Sequence, residues 1–263
     1  MIKLSSPPTR EFWEIPVLYE DAHLLAIDKP GGLLTSPDRY DPNRPNLLKL
    51  LHAGILANKS WARQRALHYL MNAHRLDCET SGVLLLARSK PVLVALADAF
   101  GCEKPYKKYI ALAQGIPPAD RFDVDAKLAA HPAQLGLMRV DPKRGKRAHT
   151  VFTVLERFKS WTLLQCEPRT SRPQQIRVHL RHVGLPLVGD TLYGGKPLWL
   201  SRFKPGYRLK PGHTERPLLD RAALHAQELS LSHPITGEAL TLSAPWPKDL
   251  TVAVKYLRRY AIA

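Results

Sequence analysis

Apolar positions along the chain follow two rhythms. Runs of strand length dominate: Val17-Leu18-Tyr19 and Leu24-Leu25-Ala26-Ile27 flank a polar turn, and Gly82-Val83-Leu84-Leu85-Leu86-Ala87 is a continuous run of buried-strand type. Strand character returns at Tyr106–Gln114, at 151–155 with 162–166, and at 224–231 with 239–244 around the turn His233-Pro234-Ile235-Thr236-Gly237. Helical spacing is rarer. Leu93, Leu96, Ala97 and Phe100 recur at i, i+3, i+4, i+7 after Ser89 as a cap and Pro91 in the first turn, with Gly101 as a left-handed stop. Further helices are predicted from Asn46 to about Leu56, over Ile176, His179, Leu180 and Val183 up to Gly184, and over Leu250, Ala253, Val254 and Leu257. Asp28-Lys29-Pro30-Gly31-Gly32 is a turn by its chemistry, because Pro fixes one φ and Gly frees the next. Residues 1–16, with Pro7, Pro8 and Pro16, read as a lead-in without periodicity. Strands outnumber helices and cluster in adjacent pairs, so the expected class is α+β, a mainly antiparallel mixed sheet with flanking helices. No repeat or linker divides the chain, which predicts one domain over 17–263 with a basic insertion at about 195–221.

Composition narrows the function. A chain of 263 residues, 44% hydrophobic, has enough length and apolar content for a packed core. No stretch approaches the roughly 18–20 apolar residues that cross a bilayer. Cys78, Cys102 and Cys166 stand far apart and form no CxxC pair, which argues against a structural zinc site and a disulfide framework. The first residues lack the apolar segment of a signal peptide, so a reducing cytoplasm is expected. The informative quantity is charge: 39 Lys+Arg against 23 Asp+Glu give +16, which fits a polyanion, nucleic acid before anionic membrane, or a protein that is simply basic.

Motifs for metal, nucleotide and serine-hydrolase chemistry are missing. GxGxxG, HExxH and GxSxG do not occur, and Gly189-Asp190-Thr191-Leu192-Tyr193-Gly194-Gly195-Lys196 places its lysine one residue late for a P-loop. Dense polar segments remain at element ends. His74-Arg75-Leu76-Asp77-Cys78-Glu79-Thr80-Ser81-Gly82 precedes the apolar strand, where polar side chains either satisfy loop backbone or line a site. Arg169-Thr170-Ser171-Arg172 leads into Gln175-Ile176-Arg177-Val178-His179-Leu180-Arg181, with Arg177 and Arg181 four apart on one helix face. That face suits an anion at the helix start, a solvated surface, or a structural ion-pair cluster.

The first of these segments resembles the HRLDxxTSG motif of the RluA-type pseudouridine synthases, and the resemblance extends along roughly residues 17–250 in the family's order. Val17 to Asp21 through Asp28-Lys29-Pro30-Gly31-Gly32-Leu33-Leu34 is similar to its opening motif, Lys107-Lys108-Tyr109 to its KxY segment, Arg169 through Gly194 to its third motif, and Leu224-His225-Ala226 with the His233 turn to its closing hairpin. The resemblance implies a catalytic domain with a central cleft that isomerises uridine to pseudouridine in RNA, ribosomal or transfer, with no cofactor and no metal. It makes Asp77 the catalytic aspartate, attacking the ribose anomeric carbon or the uracil ring. It implies that Arg177 pairs with Asp77 and keeps it ionised, that Tyr109 stacks on the target base, and that Arg75 fills the place of the flipped nucleotide. Leu76 and Ile176 are expected beneath the pocket, and His74, Lys107 and Arg172 beside it as RNA contacts. A non-catalytic RNA-binding or ribosome-assembly factor on the same scaffold is the alternative, and a monomer is expected.

The third motif departs from the family's frequent RTGRTHQIR: Ser171, Pro173 and Gln174 stand where glycine, threonine and histidine are usual. Pro173 is tolerable in a first helical turn and Ser171 is a good N-cap, so the helix is expected to survive. Some members of the family carry a small RNA-binding domain before the first motif; 16 residues precede Val17, so grip is expected from the catalytic domain. Two basic stretches compete for that role. One is 195–221, with Lys204 and Arg208 among Trp199, Phe203 and Tyr207, which either contacts RNA or packs its aromatics on the core. The other is 139–147, a hairpin tip carrying Lys143, Arg144, Lys146 and Arg147.

Overall fold

The computed structural model describes every residue except Arg39, Tyr40, Pro42, Pro211 and Ala263, so Pro211 of the 195–221 stretch lies outside the described residues. In chain order the elements are β1 (Ile2–Ser6), β2 (Glu11–Ile15), β3 (Val17–Glu20), β4 (Leu24–Lys29), α1 (Leu47–Leu56), α2 (Ser60–Arg63), β5 (Met71–Asn72), β6 (Ser81–Ala87), α3 (Lys90–Gly101) and β7 (Tyr106–Gln114). They continue with β8 (Arg121–Asp125), β9 (Leu128–Ala130), β10 (Met138–Val140), β11 (His149–Arg157), β12 (Trp161–Pro168), α4 (Gln175–His182), β13 (Leu224–Ser232), β14 (Ala239–Ser243) and α5 (Lys248–Tyr260). This is the expected α+β composition. The chain forms two compact units, Met1–Lys107 with Ala226–Pro245, and Lys108–His225 with Trp246–Ala263.

In the first unit β4 lies between β3 and β6, both antiparallel to it, and β14 pairs antiparallel with β13. Leu24, Ala26, Val83 and Leu85 point to one face and pack with Val92 and Leu96 of α3. The strand alternation therefore delivers one apolar face to an amphipathic helix. Gly82 holds φ +115°, and a Cβ there would sit 2.2 Å from the Ala226 carbonyl oxygen, so only glycine fits at the start of β6. The opening and closing segments lock together. His233 takes the Ile235 and Thr236 N–H groups on Nδ1, which leaves Nε2 to donate to Asp21 Oδ2 at 2.9 Å.

The second unit is built on the antiparallel order β7-β12-β11-β8. Residues of β7 alternate between two cores: Ile110 and Leu112 join Leu163 and Leu250, Val254 and Leu257 of α5, whereas Ala111 and Ala113 join Phe152, Leu164 and Ile176 and Leu180 of α4. Helices on both faces explain why β7 and β12 bury consecutive residues, 110–113 and 162–164.

Four expectations are corrected. Residues 2–15 form the antiparallel hairpin β1–β2, with Ile2, Leu4 and Ser6 buried in strict alternation and Arg10 at φ +56° in the turn; the prolines of this segment sit in or after the turn and masked its period. Helix α3 runs through Gly101 to a cap at Cys102, and the left-handed residue is Glu103. Helix α4 begins at Gln175 behind Gln174, which is itself left-handed, so Ser171 is no N-cap and Pro173 precedes the helix. The loop joining β9 and β10 is 131–137, and Asp141 to Lys146 form a separate turn that returns to Leu128.

Candidate active site and RNA-contact surfaces

The loop between β5 and β6 holds Asp77 by its neighbours. Thr35 Oγ1 donates to the Leu76 carbonyl at 2.8 Å and accepts the Leu76 N–H at 3.3 Å. On the other side the Cys78 carbonyl accepts the Gly32 N–H at 2.9 Å and the Lys29 ammonium at 3.2 Å. Lys29 is fully buried, and its Nζ also donates to the carbonyls of Pro30 and Leu33, both at 2.7 Å. A buried ammonium persists only when its donors are taken up, and three backbone carbonyls do this here. The half-buried Asp77 thus stands between Leu76, clamped by Thr35, and Cys78, clamped by the Asp-Lys-Pro-Gly-Gly turn, and its own carbonyl accepts the Thr80 N–H at 3.2 Å. Leu76 and Thr80 are buried, whereas Arg75 is exposed.

His74 has an internal task. Its Nε2 accepts the Leu85 N–H at 3.1 Å and its ring stacks on Phe100 at 4.9 Å. Desolvation, with Lys107 adding to it, pushes the imidazole down to about 3, so the ring is neutral and able to accept that bond. Lys107 is itself buried. Both side chains are thus packed into this part of the fold, His74 partly and Lys107 almost wholly buried. Asp28, preceding the clamping lysine, is held up to about 6 by burial, against the pull of Lys29.

In the second unit α4 carries Arg177, 4% exposed, on its inner side. Nε and Nη2 donate to the two oxygens of Asp190, each at 2.7 Å, and Asp190 is 0% exposed. The Tyr193 ring lies under the guanidinium, 5.1 Å from its carbon. Of the readings open for this arginine face, a structural ion pair is thus realised for Arg177, while Arg181 is exposed. The segment that resembled a failed phosphate loop supplies the carboxylate. Its Gly189, at φ +75°, would place a Cβ 2.0 Å from the Arg221 carbonyl oxygen, which explains the glycine without any ligand.

A polar network fixes the start of α4. Thr170 Oγ1 donates to Gln175 Oε1 at 2.8 Å, Gln175 Nε2 donates to the His149 carbonyl and to Thr150 Oγ1 at 3.0 Å, and Thr150 Oγ1 meets His179 Nδ1 at 3.0 Å. His179 Nε2 reaches the Ala126 carbonyl at 3.1 Å. Burial lowers the affinity of His179 for a proton, consistent with a neutral ring whose Nδ1 accepts and whose Nε2 donates. Ile176 is buried against the same core, and Tyr109 on β7 packs at its edge, partly exposed.

Charge is unequally divided. The second unit holds 25 of the Lys and Arg residues and 10 of the acids, a net +15, and the first unit 14 and 13, a net +1. Lys143, Arg144, Lys146 and Arg147 are exposed on a turn fixed by Asp141, whose Oδ1 accepts the N–H groups of Lys143 and Arg144. Backbone hydrogen bonds, that of Arg144 foremost, hold the Asp141 carboxyl below its usual range. Arg172 Nε donates to the Arg147 carbonyl at 2.9 Å and so joins this surface. In the 195–221 stretch Phe203 packs against the core and Trp161, Lys204 lies over Tyr207 and Tyr260 at 5.8 and 5.6 Å, and Arg208 is exposed.

Sequence reasoning passed over Lys29, Thr35 and Asp190. Lys29 had a signal, a lysine beside an aspartate at the end of the apolar run Leu24-Leu25-Ala26-Ile27; Thr35 and Asp190 had none, since their partners lie 41 and 13 residues away.

The sequence model of the family described as RNA pseudouridylate synthase matches residues 23–182. The chain is 35% identical over 257 residues to the ribosomal large subunit pseudouridine synthase D of Xanthomonas campestris, covering 92% of this chain and 69% of that protein. It is 32% identical to the protein of the same name from Zymomonas mobilis, covering 97% and 77%. Among solved structures, human RNA pseudouridylate synthase domain containing 4 superposes with a TM-score of 0.68 at 24% identity over 92% of each chain, a likeness of fold. No helix among the described residues is long and apolar enough to cross a membrane. On the matched segment and these relatives together, the chain belongs to the RNA pseudouridylate synthases, isomerases that act on uridine in RNA.

Proposed function

We propose that this enzyme isomerises uridine in large-subunit ribosomal RNA with Asp77 as its nucleophile. The names of its relatives support the ribosomal substrate. The observation that carries the nucleophile is the double clamp on Leu76 and Cys78, which holds one acidic residue by its backbone while its side chain stays half-buried and reachable. In the reaction the bond from N1 of the base to the ribose C1′ breaks, the base turns, C5 bonds to C1′, and the C5 proton departs as N1 gains one; atoms and electrons balance without a redox partner. Arg177 supplies the positive charge that keeps Asp77 ionised, Tyr109 stacks on the target base, and Arg75 takes the space of the everted nucleotide. Lys143, Arg144, Lys146, Arg147 and Arg172 grip phosphates, with Lys204 and Arg208 as a second contact.

The test is Asp77→Asn and Arg177→Ala, assayed on in vitro transcribed large-subunit RNA fragments and on transfer RNA by pseudouridine mapping. Asp77→Asn is expected to abolish product while RNA binding persists, and Arg177→Ala to lower turnover severely. Wild-type turnover in Asp77→Asn removes the nucleophile, and modification of transfer RNA alone removes the ribosomal substrate.

A further inference from the structure

An arginine acts on a reacting group best when its guanidinium is held in place, and a bidentate ion pair holds one edge of the group while a ring beneath it holds the face. Here three contacts converge. Asp190 takes one edge of Arg177, the Tyr193 ring backs its face, and the ring is pinned at its far end. The pin is the phenol: its oxygen accepts the Met138 N–H at 3.0 Å and its proton goes to Gln174 Oε1. The Gln174 amide then donates from Nε2 to the Gly136 carbonyl at 3.0 Å, in the loop joining β9 and β10. Gln174 itself sits at φ +54°, a left-handed position unfavourable for a residue with a Cβ. Strain of this kind persists where surrounding contacts over-determine it, and the contacts that hold it are the two ends of its own amide.

We propose that Tyr193 and Gln174 are positioning residues for Arg177, a relay that fixes the guanidinium and couples it to the β9–β10 loop. A primary amide suits the junction because it accepts from the phenol and donates to the carbonyl at once. Tyr193 Oη and Gln174 act through Arg177, so their loss degrades the transition state while leaving RNA binding intact. The relay rests on the catalytic reading of Arg177.

The experiment measures kcat, KM, RNA affinity and thermal melting for Tyr193→Phe, Gln174→Ala, their double variant, Gln174→His and Arg177→Ala. Tyr193→Phe and Gln174→Ala are each expected to lower kcat about 10- to 100-fold with KM and Kd within about twofold, as for a slightly misplaced reacting group. The double variant is expected to match the worse single, since both break one chain of contacts. Histidine, which also has one accepting and one donating nitrogen, is expected to restore kcat at position 174 to within about threefold of wild type. Losses that multiply, a rise in KM at unchanged kcat, or wild-type kcat in folded Tyr193→Phe and Gln174→Ala alongside a dead Arg177→Ala would each overturn the relay. Wild-type turnover in Arg177→Ala would instead overturn the role of the arginine. A Gln174→Ala variant that fails to melt cooperatively shifts the decision to Tyr193→Phe, which removes only the hydroxyl and is expected to lower kcat; wild-type kcat in that variant overturns the relay.

Discussion

Asp190→Ala tests how much of the second unit depends on one carboxylate. Arg177 and Asp190 are 4% and 0% exposed and share two hydrogen bonds of 2.7 Å. Removing the acid leaves a guanidinium buried with its Nε and Nη2 donors deprived of their acceptors, and breaking such a pair from one side costs about 3–5 kcal/mol. Lost packing of a small side chain is minor beside that. For a chain of this size each kcal/mol moves the melting temperature by about 2–4 °C, so a fall of about 6–20 °C is expected. The sharper prediction concerns the double variant Arg177→Met/Asp190→Ala. If the loss comes from an uncompensated charge, removing that charge as well returns stability, and the double is expected to exceed the Asp190 single by at least about 1 kcal/mol. Urea denaturation followed by circular dichroism reads both. A single variant within about 1 kcal/mol of wild type, or a double as unstable as the two singles added, refutes the reasoning.

Three further outcomes follow from the same geometry. Asp28, raised to about 6 by burial, is protonated in the fold between its ordinary value and about pH 6, where the unfolded chain has already ionised; stability therefore falls as pH rises through that window and is level above it. Asp28→Asn is expected to gain about 1–2 kcal/mol at neutral pH, the partial exposure of the carboxyl reducing the full linkage value, and to lose the advantage near pH 4; a constant difference between variant and wild type across pH 4–8 contradicts this. Thr35→Val removes both hydrogen bonds to Leu76, and about 1–3 kcal/mol of stability is expected to go with a fall in kcat at nearly constant KM; wild-type kcat in a folded variant would show that this clamp does not position Asp77. Neutralising Lys143, Arg144, Lys146 and Arg147 together is expected to flatten the slope of log affinity against log salt by about 3, from roughly 0.7–0.9 per phosphate contact; an unchanged slope excludes the turn as a phosphate grip.

What the sequence discloses and what it hides divide by range. The start of α1 near Asn46 was legible because the contact that fixes it, Asn46 Oδ1 to the Lys49 N–H, spans three residues, and the run from Gly82 to Ala87 was legible because burial on both faces writes itself as unbroken apolarity. The paired strands β11–β12 and β13–β14 followed from adjacency. The clamp on Asp77 was not legible, because Lys29 reaches Cys78 across 49 residues and Thr35 reaches Leu76 across 41. No local rule assigns a buried lysine to three backbone carbonyls; it follows only when a turn and a loop meet. The first hairpin failed for the opposite reason: its alternation is plain at Ile2 and Leu4, but three prolines suggested a loose segment, although only the turn and the residue after β2 carry them.

The fate of the arginines extends the same argument to chemistry. From spacing alone Arg177 and Arg181 are equivalent, four apart on one face, yet one is buried on a carboxylate and the other exposed. Composition cannot separate a cation open to a ligand from one engaged by a carboxylate within the fold, and the 39 Lys and Arg residues therefore overstate the number of cations open to RNA. Arg177, Arg221 and Arg139 of the second unit are committed to Asp190, Asp249 and Asp141, and Arg157, Arg169 and Arg258 to Asp120, Glu167 and Glu156. These six pairs remove equal charge of both signs and leave the net +15 of that unit to side chains such as the four of the Asp141 turn. A uniform basic surface would lose RNA affinity gradually as any cations were neutralised. A surface on which some cations are already paired predicts instead that neutralisation at paired positions such as Arg157 changes the salt slope far less than neutralisation at Lys143 or Arg144.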